Sequence, residues 1–458
     1  MSQHQSSREQ HEDSDNLLCQ GLGASPGEIS GKVTIVNDLE ETDQVTEQDI
    51  IVTEMTMPEM VPAMKRASGI VTNQGGITCH AAIVSRELGV PAIVGTGDAT
   101  TELEDGQTVE IDGDRGTIKK AEASDVLSSS SETDDTSQTS NSSESTSSST
   151  ATTDPAVPTT TATDVFVNVS IPEAAERAAA TDADGVGLLR VEHILLSLQK
   201  TPAKYVEDHG ADEFVDQVAQ EVERVAEAFY PREVRARTMD APTDELAELE
   251  GGEAEPHEHN PMLGWRGIRR SLDETSLTKL ELRAFKQVRD NGYDNLYVMF
   301  PLPNDPEEVV EARELMREVG INPDETKWGA MIETPASVRQ IDEIIDTGID
   351  FAALGTNDLI QYILAVDRNN GNVADVFDEM HPAVLEAMSE VIEACNENDV
   401  HTTITGQAGS RPEMARFLVN EGISSVSANI DAVGTVREVI GRAEQKLILD
   451  EVRAERLD

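Results

Sequence analysis

The chain has 458 residues and a net charge of −53, from 35 Lys and Arg against 88 Asp and Glu. Its length gives room for two or three domains with a sizeable core, and its charge repels nucleic acid and anionic membrane surfaces, so neither is expected as a partner. Three cysteines, Cys19, Cys79 and Cys395, are too few for a disulfide framework, and with no signal-peptide core and no run of about 18 apolar residues a soluble cytoplasmic protein in a reducing compartment is expected.

Residues 1–16 read as a disordered polar tail. From 17 to 123, short β-like runs (KVTIV, DIIVTEM, GIVTN, PAIVG, QTVEIDG) alternate with Gly and Asp turns and a few helices, the pattern of a compact α+β domain. Within it, NQGGITCHAAIVSRELGVPAIVG (73–95) puts Thr78 where an N-cap belongs, predicts a helix from about Cys79 to Leu88, and supplies Gly89 as its stop. His80 then lies in the first turn. Free N–H groups and the helix dipole favour an anion there, and Gly75 and Gly76 let the backbone approach closely. An imidazole so placed can accept a phosphoryl group, the helix terminus keeping the ring neutral and nucleophilic. A buried, hydrogen-bonded turn histidine is the commoner fate of a lone His, and the neighbouring sequence has to decide between the two.

Residues 124–163 contain LSSSSETDDTSQTSNSSESTSSSTATTDPAVPTTTAT, Ser/Thr-rich and nearly devoid of large apolar side chains. This is a flexible linker, with a root-mean-square span of about 33 Å, enough to carry a small domain across a large one.

From 164 to 458, eight apolar, mostly β-branched runs alternate with helical stretches: VFVNVS, GVGLLR, VRARTM, NLYVMFP, KWGAMIE, FAALGT, HTTITG and SSVSAN. Eight β/α units predict a (β/α)8 TIM barrel, an α/β fold whose chemistry gathers where strands end. Between the runs, EFVDQVAQEVERVAEAF (213–229) sets Val, Ala and Phe at helical spacing against carboxylates on the other face, so the acidity is surface solvation of a folded protein. Salt at 1 M, with a Debye length of about 3 Å, would relieve the repulsion among those carboxylates, and a halophilic setting is expected.

Polar residues fall at the strand ends: Arg190, Arg237, Glu333, Asn357, Asp358 and Gln407. Guanidinium forks at Arg237 and Arg266 suit a carboxylate or phosphate, and Glu333 and Asp358 are hard oxygen ligands of the kind Mg2+ takes. The set argues for an anionic ligand with a metal. His257 and His259 read as a solvated loop.

The stretch 73–95, with GLGASPGEISGKV (21–33) and VTEMTMPEMVPAMKRASGIVTN (52–73), closely resembles the phosphohistidine signature of the phosphoenolpyruvate-utilising enzymes. The motifs DGVGLLRVEHIL, NPMLGWRGIR, MIETPAS, GTNDLIQYILAVDR and TGQAGSRPEMARFLVNEGISSVSANIDAV resemble the substrate barrel of the same family, in the same order. KTPAKYVEDHGADEFV, VERVAEAFYPR and LEGGEAEPHEHNPMLGWRG are closest to its synthase branch, the pyruvate, water dikinases. The resemblance implies that His80 is the phosphorylated residue of a swivelling domain. It also implies that Arg237, Arg266, Gly355, Thr356, Asn357 and Asp358 bind phosphoenolpyruvate or pyruvate, and that Glu333 and Asp358 hold Mg2+. A homodimer is expected.

Three departures from the family stand out. Ile77 occupies a position usually held by Arg. Thr405 stands where the family places the Cys that protonates the enolate, and a hydroxyl is far too weak an acid for that task unless it relays through water; Cys395, ten residues upstream, is a poor substitute. The family's ATP-grasp nucleotide-binding domain has no counterpart here and is expected on a separate chain. Phosphoryl transfer between phosphoenolpyruvate and His80 is the leading expectation. A phosphoryl donor to a carrier protein, for which the helical docking insertion is absent, and a non-catalytic phosphoenolpyruvate sensor are the others.

Overall fold

The computed structural model describes residues 16–57, 60–76, 79–121, 160–368, 373 and 376–455. The polar tail up to residue 15, nearly all of the Ser/Thr-rich linker, and both Ile77 and Thr78 lie outside these residues, while Asn16, the last residue of the expected tail, accepts the Lys120 N–H at 3.0 Å.

Eight strands form the first sheet: β1 (Leu17–Gln20), β2 (Leu22–Ser25), β3 (Glu28–Ile35), β4 (Asp49–Thr53), β5 (Gly69–Thr72), β6 (Ala92–Val94), β7 (Thr108–Asp112) and β8 (Thr117–Lys120), in the order β1-β8-β7-β3-β4-β5-β6-β2. The centre β3-β4-β5-β6 is parallel. Both β4 and β5 are buried along their whole length, which is why they read as continuous apolar runs. The helix His80–Leu88 connects β5 to β6 as a β-α-β crossover, so its N-terminus emerges beside the C-terminal ends of parallel strands, where such sheets bind ligands. It ends on Gly89 at φ 71°, the left-handed stop expected from sequence. The residue preceding it is Cys79, in extended conformation and without a side-chain cap, which makes His80 the first helical residue.

The second unit is a closed barrel of eight parallel strands: β9 (Asp164–Val169), β10 (Gly185–Arg190), β11 (Val234–Arg237), β12 (Leu296–Phe300), β13 (Trp328–Ile332), β14 (Phe351–Gly355), β15 (His401–Thr405) and β16 (Ser425–Ala428). Each coincides with one of the eight apolar runs. Pairing of β16 with β9, Ser425 opposite Asp164, closes the ring. Leu188, Met299, Met331, Phe351 and Ala353 fill the interior, while the outward faces pack under the helices. On β11, Arg235 and Arg237 are two apart and share a face. The Arg235 guanidinium lies between the Phe166 and Phe351 rings, 4.8 and 4.4 Å from their centroids, low in the barrel; Arg237 ends the strand at the opposite mouth. The helix Ala211–Phe229 buries Phe214, Val215, Val218, Val222 and Val225 along one face, as its spacing predicts. No helix among the described residues is long and apolar enough to cross a membrane.

Candidate active site

One cavity of about 360 Å³ is lined by His80, Arg237, Arg266, Glu333, Gly355, Thr356, Asn357, Asp358 and Thr405. The nine residues to which the resemblance gave a role therefore face the same space, one from the sheet domain and eight from the C-terminal mouth of the barrel, whereas Gln407, noted at a strand end, does not line it.

His80 reaches it from above. The turn before it is built on Asn73, whose amide donates to Glu54 and Thr100, both at 2.6 Å, and on Gly75 at φ 110°, where a Cβ would stand 2.7 Å from Cys79 Sγ. Among the described residues Gly76 has no neighbour within 4 Å of its would-be Cβ, so the steric demand seen there falls on Gly75. Thr56 Oγ1 lies 2.9 Å from His80 Nδ1, and the His193 ring of the barrel stacks against the imidazole, centroids 6.2 Å apart. Burial pushes the His80 pKa down to about 4, leaving the ring neutral at pH 7. Sequence reasoning gave the helix terminus that role; the cause is removal from water.

The arginines are held by carboxylates. Asp240 receives Arg266 through both oxygens, at 2.9 and 2.8 Å, and Arg237 Nη1 at 2.9 Å, while Glu192 pairs with Arg237 from β10's end. Arg266 also meets Asp358 at 3.3 Å and Arg368 meets it at 3.5 Å. Burial alone would raise the Asp358 pKa, but Arg266, Arg368 and Arg237 outweigh it and hold the group ionised. Glu333 has the opposite fate. Burial and the charges of Asp358 and Asp240 push its pKa up more than Arg237 and Arg266 bring it down. Its Oε2 accepts the N–H of Leu302 at 3.0 Å, Leu302 being held at φ 56°. Gly355 is required beside it, because a Cβ there would sit 2.1 Å from Glu333 Oε1.

Thr405 closes the floor. It is fully buried and donates its hydroxyl to the Leu354 carbonyl at 3.2 Å, while its own carbonyl accepts Thr356 Oγ1 at 2.8 Å. Cys395 is buried in the helix Pro382–Glu397, its thiol pKa pushed up to about 12, and does not line the cavity. His257 and His259 are exposed, with their rings 5.7 Å apart.

Several lining residues carry no assignment from sequence, Thr56, Glu192, His193, Asp240 and Arg368, and they join Arg190, which belongs to the strand-end set expected to meet an anionic ligand. Four guanidiniums, of Arg190, Arg237, Arg266 and Arg368, face four carboxylates, of Glu192, Asp240, Glu333 and Asp358, with Glu245 and Glu248 exposed at the rim. With all eight groups ionised these charges cancel, but burial, Asp358 and Asp240 disfavour the ionised form of Glu333. Glu333 and Asp358 oppose each other's ionisation, a conflict that a divalent cation resolves. Among the described residues no group of three or more His, Cys, Asp and Glu gathers as a metal site; two carboxylates with remaining positions for substrate and water fit Mg2+.

A barrel mouth of arginines and carboxylates thus faces a histidine contributed by the sheet domain. The chain belongs to the PEP-utilising enzyme family: residues 45–116 match its mobile domain and residues 144–445 its PEP-binding domain, PEP being phosphoenolpyruvate. It is 50% identical over 432 residues to the phosphoenolpyruvate synthase of Pyrococcus furiosus, covering 94% of this chain and 51% of that protein. A probable phosphoenolpyruvate synthase of Pyrococcus horikoshii is 54% identical over 427 residues (93% and 51%), and one of Archaeoglobus fulgidus 50% over 444 (95% and 55%). The chain spans about half the length of these curated relatives.

Proposed function

We propose that this chain performs the phosphoenolpyruvate half-reaction of a phosphoenolpyruvate synthase, moving a phosphoryl group between the substrate enol oxygen and His80. The observation that carries this reading is that His80, the arginines and Glu333 and Asp358 line one cavity. With the proton on Nδ1 donated to Thr56 Oγ1, the Nε2 lone pair is free to attack phosphorus; the N–P bond forms as the C–O–P bridge breaks and the electron pair leaves on the enol oxygen. Arg237 and Arg266, immobilised by Asp240, are preorganised for the charge on the phosphoryl group in flight, and Arg190 and Arg368 add cationic charge at the same mouth. Glu333 and Asp358 would hold Mg2+, which offsets the negative charge of phosphate and enolate. Proton addition at the methylene carbon then converts enolate to pyruvate, and synthesis runs the same steps backwards. The two matched domains account for the phosphoenolpyruvate half-reaction alone, and a homodimer is the proposed assembly.

The buried Thr405 hydroxyl, committed to a backbone carbonyl, favours a second reading, a non-catalytic phosphoenolpyruvate sensor that binds the substrate without forming phosphohistidine. The charge of −53 supports a high-salt cytoplasm as the working medium. Incubation with labelled phosphoenolpyruvate and Mg2+ in high salt tests the proposal: an acid-labile, base-stable label on His80 supports transfer, and binding without label supports the sensor.

A further inference from the structure

The helix that begins at His80 touches the barrel at both ends. At its far end Glu87 is 6% exposed, and the partners of its carboxylate belong to the other unit: Oε2 accepts the backbone N–H groups of Ser170, at 2.8 Å, and Ile171, at 3.1 Å, in the loop after β9. Arg177, also from the barrel, donates through Nη1 to the carbonyls of Arg86 and Glu87, both at 2.8 Å, satisfying helix-end acceptors that would otherwise lack a partner. Its Nη2 pairs with Asp431, so the guanidinium is fixed from the barrel side. Ser170 serves both domains, because its hydroxyl accepts Arg190 Nη1 at 2.6 Å and also bonds to Glu87, and Arg190 lines the cavity.

We propose that Glu87 and Arg177 form a docking clamp on the helix Cys79 introduces, with Glu87 the positioning residue that holds His80 over the barrel cavity. Among the described residues the hydrogen bonds of this buried carboxylate all cross the interface, which commits the sheet domain to one seat. Because the carboxylate and the amides it binds are all readily hydrated when apart, the clamp opens without leaving an unsatisfied buried group. The helix converts a contact at residue 87 into a fixed position at residue 80, and the shared Ser170 aligns that position with Arg190.

Alkylation of Cys79 in the full chain by N-ethylmaleimide reads docking directly. Cys79 lines the cavity, whereas Cys19 and Cys395 are buried in the cores of the two units and report unfolding. Loss of charge-assisted bonds of this kind shifts an equilibrium by about tenfold or more. Glu87→Ala, and on the barrel side Arg177→Met, should each speed Cys79 alkylation by about tenfold with Cys19 and Cys395 still protected; Glu87→Gln, which keeps an acceptor oxygen, should fall between them and wild type. Phosphohistidine formation should drop in parallel with phosphoenolpyruvate binding held within about twofold. That loss of labelling rests on the proposed phosphoryl transfer, but alkylation does not, so failure of one is distinguishable from failure of the other. Unchanged Cys79 reactivity in both variants, or a joint rise at all three cysteines, would overturn the clamp.

Discussion

Thr405→Cys places a thiol acid at the cavity floor, where the proposed half-reaction needs a proton donor to the enolate. The residue is fully buried at the cavity floor, and its hydroxyl is spent on the Leu354 carbonyl at 3.2 Å. Replacement by a thiol, a weaker donor of similar volume, forfeits that bond at a cost of about 1 kcal/mol, well short of unfolding a domain of this size. In exchange it supplies a group whose ordinary pKa is about 8.5. A positioned general acid contributes about 10²- to 10⁴-fold, or about 3 to 5.5 kcal/mol of barrier at about 1.4 kcal/mol per tenfold. Incorporation of solvent deuterium into the methyl group of pyruvate should therefore rise by at least a hundredfold in the Cys variant, while the rate of phosphohistidine formation, which moves no proton at carbon, stays within a few-fold of wild type. Thr405→Val separates the remaining possibilities: it should exchange as slowly as wild type. Wild-type exchange already equal to that of the Cys variant would refute the reasoning and place the acid elsewhere.

Protonation of His80 gives a pH prediction. The docked ring has a pKa of about 4 against an ordinary 6.5, so between these values a solvated imidazole holds a proton that the docked one does not; docking, and labelling with it, should weaken as pH falls from about 6.5 toward 4 and be fully restored above that window. Labelling that holds level down to pH 4.5 would contradict it. Glu333→Gln and Asp358→Asn should each raise the Mg2+ concentration needed for half-maximal labelling by at least tenfold, measured by titration, since each removes one of two anionic ligands. Thermal stability should climb steeply between 0.1 and 1 M KCl as 88 acidic side chains are screened, and a melting temperature independent of salt would contradict the assignment of that acidity to a saline medium.

The barrel was legible because its strands are mostly buried on both faces and read as short, largely apolar runs separated by helical stretches; none of the eight was displaced. The strands β1, β2 and β8 went unread. Their sequences, LLCQ, LGAS and TIKK, are four residues long and carry few β-branched residues, so propensity is weak and pairing with neighbours decides. In the site, residues at strand ends were found by position, as were the motif-borne Glu333 and Asp358. Thr56, Glu192, His193, Asp240 and Arg368 are polar residues without periodicity, brought together only when the barrel closes and the sheet domain docks. Asp240 illustrates the gap: nothing in RTMDAP marks it as the carboxylate that orients both Arg237 and Arg266.

The central claim is that His80 receives its phosphoryl group from a ligand held in the barrel. Single-turnover labelling of wild type and His80→Ala with phosphoenolpyruvate carrying labelled phosphate, at saturating Mg2+ and high salt, tests it most directly, with ligand binding measured on the same samples. The account predicts one acid-labile label per chain in wild type, mapped to His80, and none in the variant, with binding retained in both. Equal labelling of His80→Ala, or binding with no label in either protein, would contradict it.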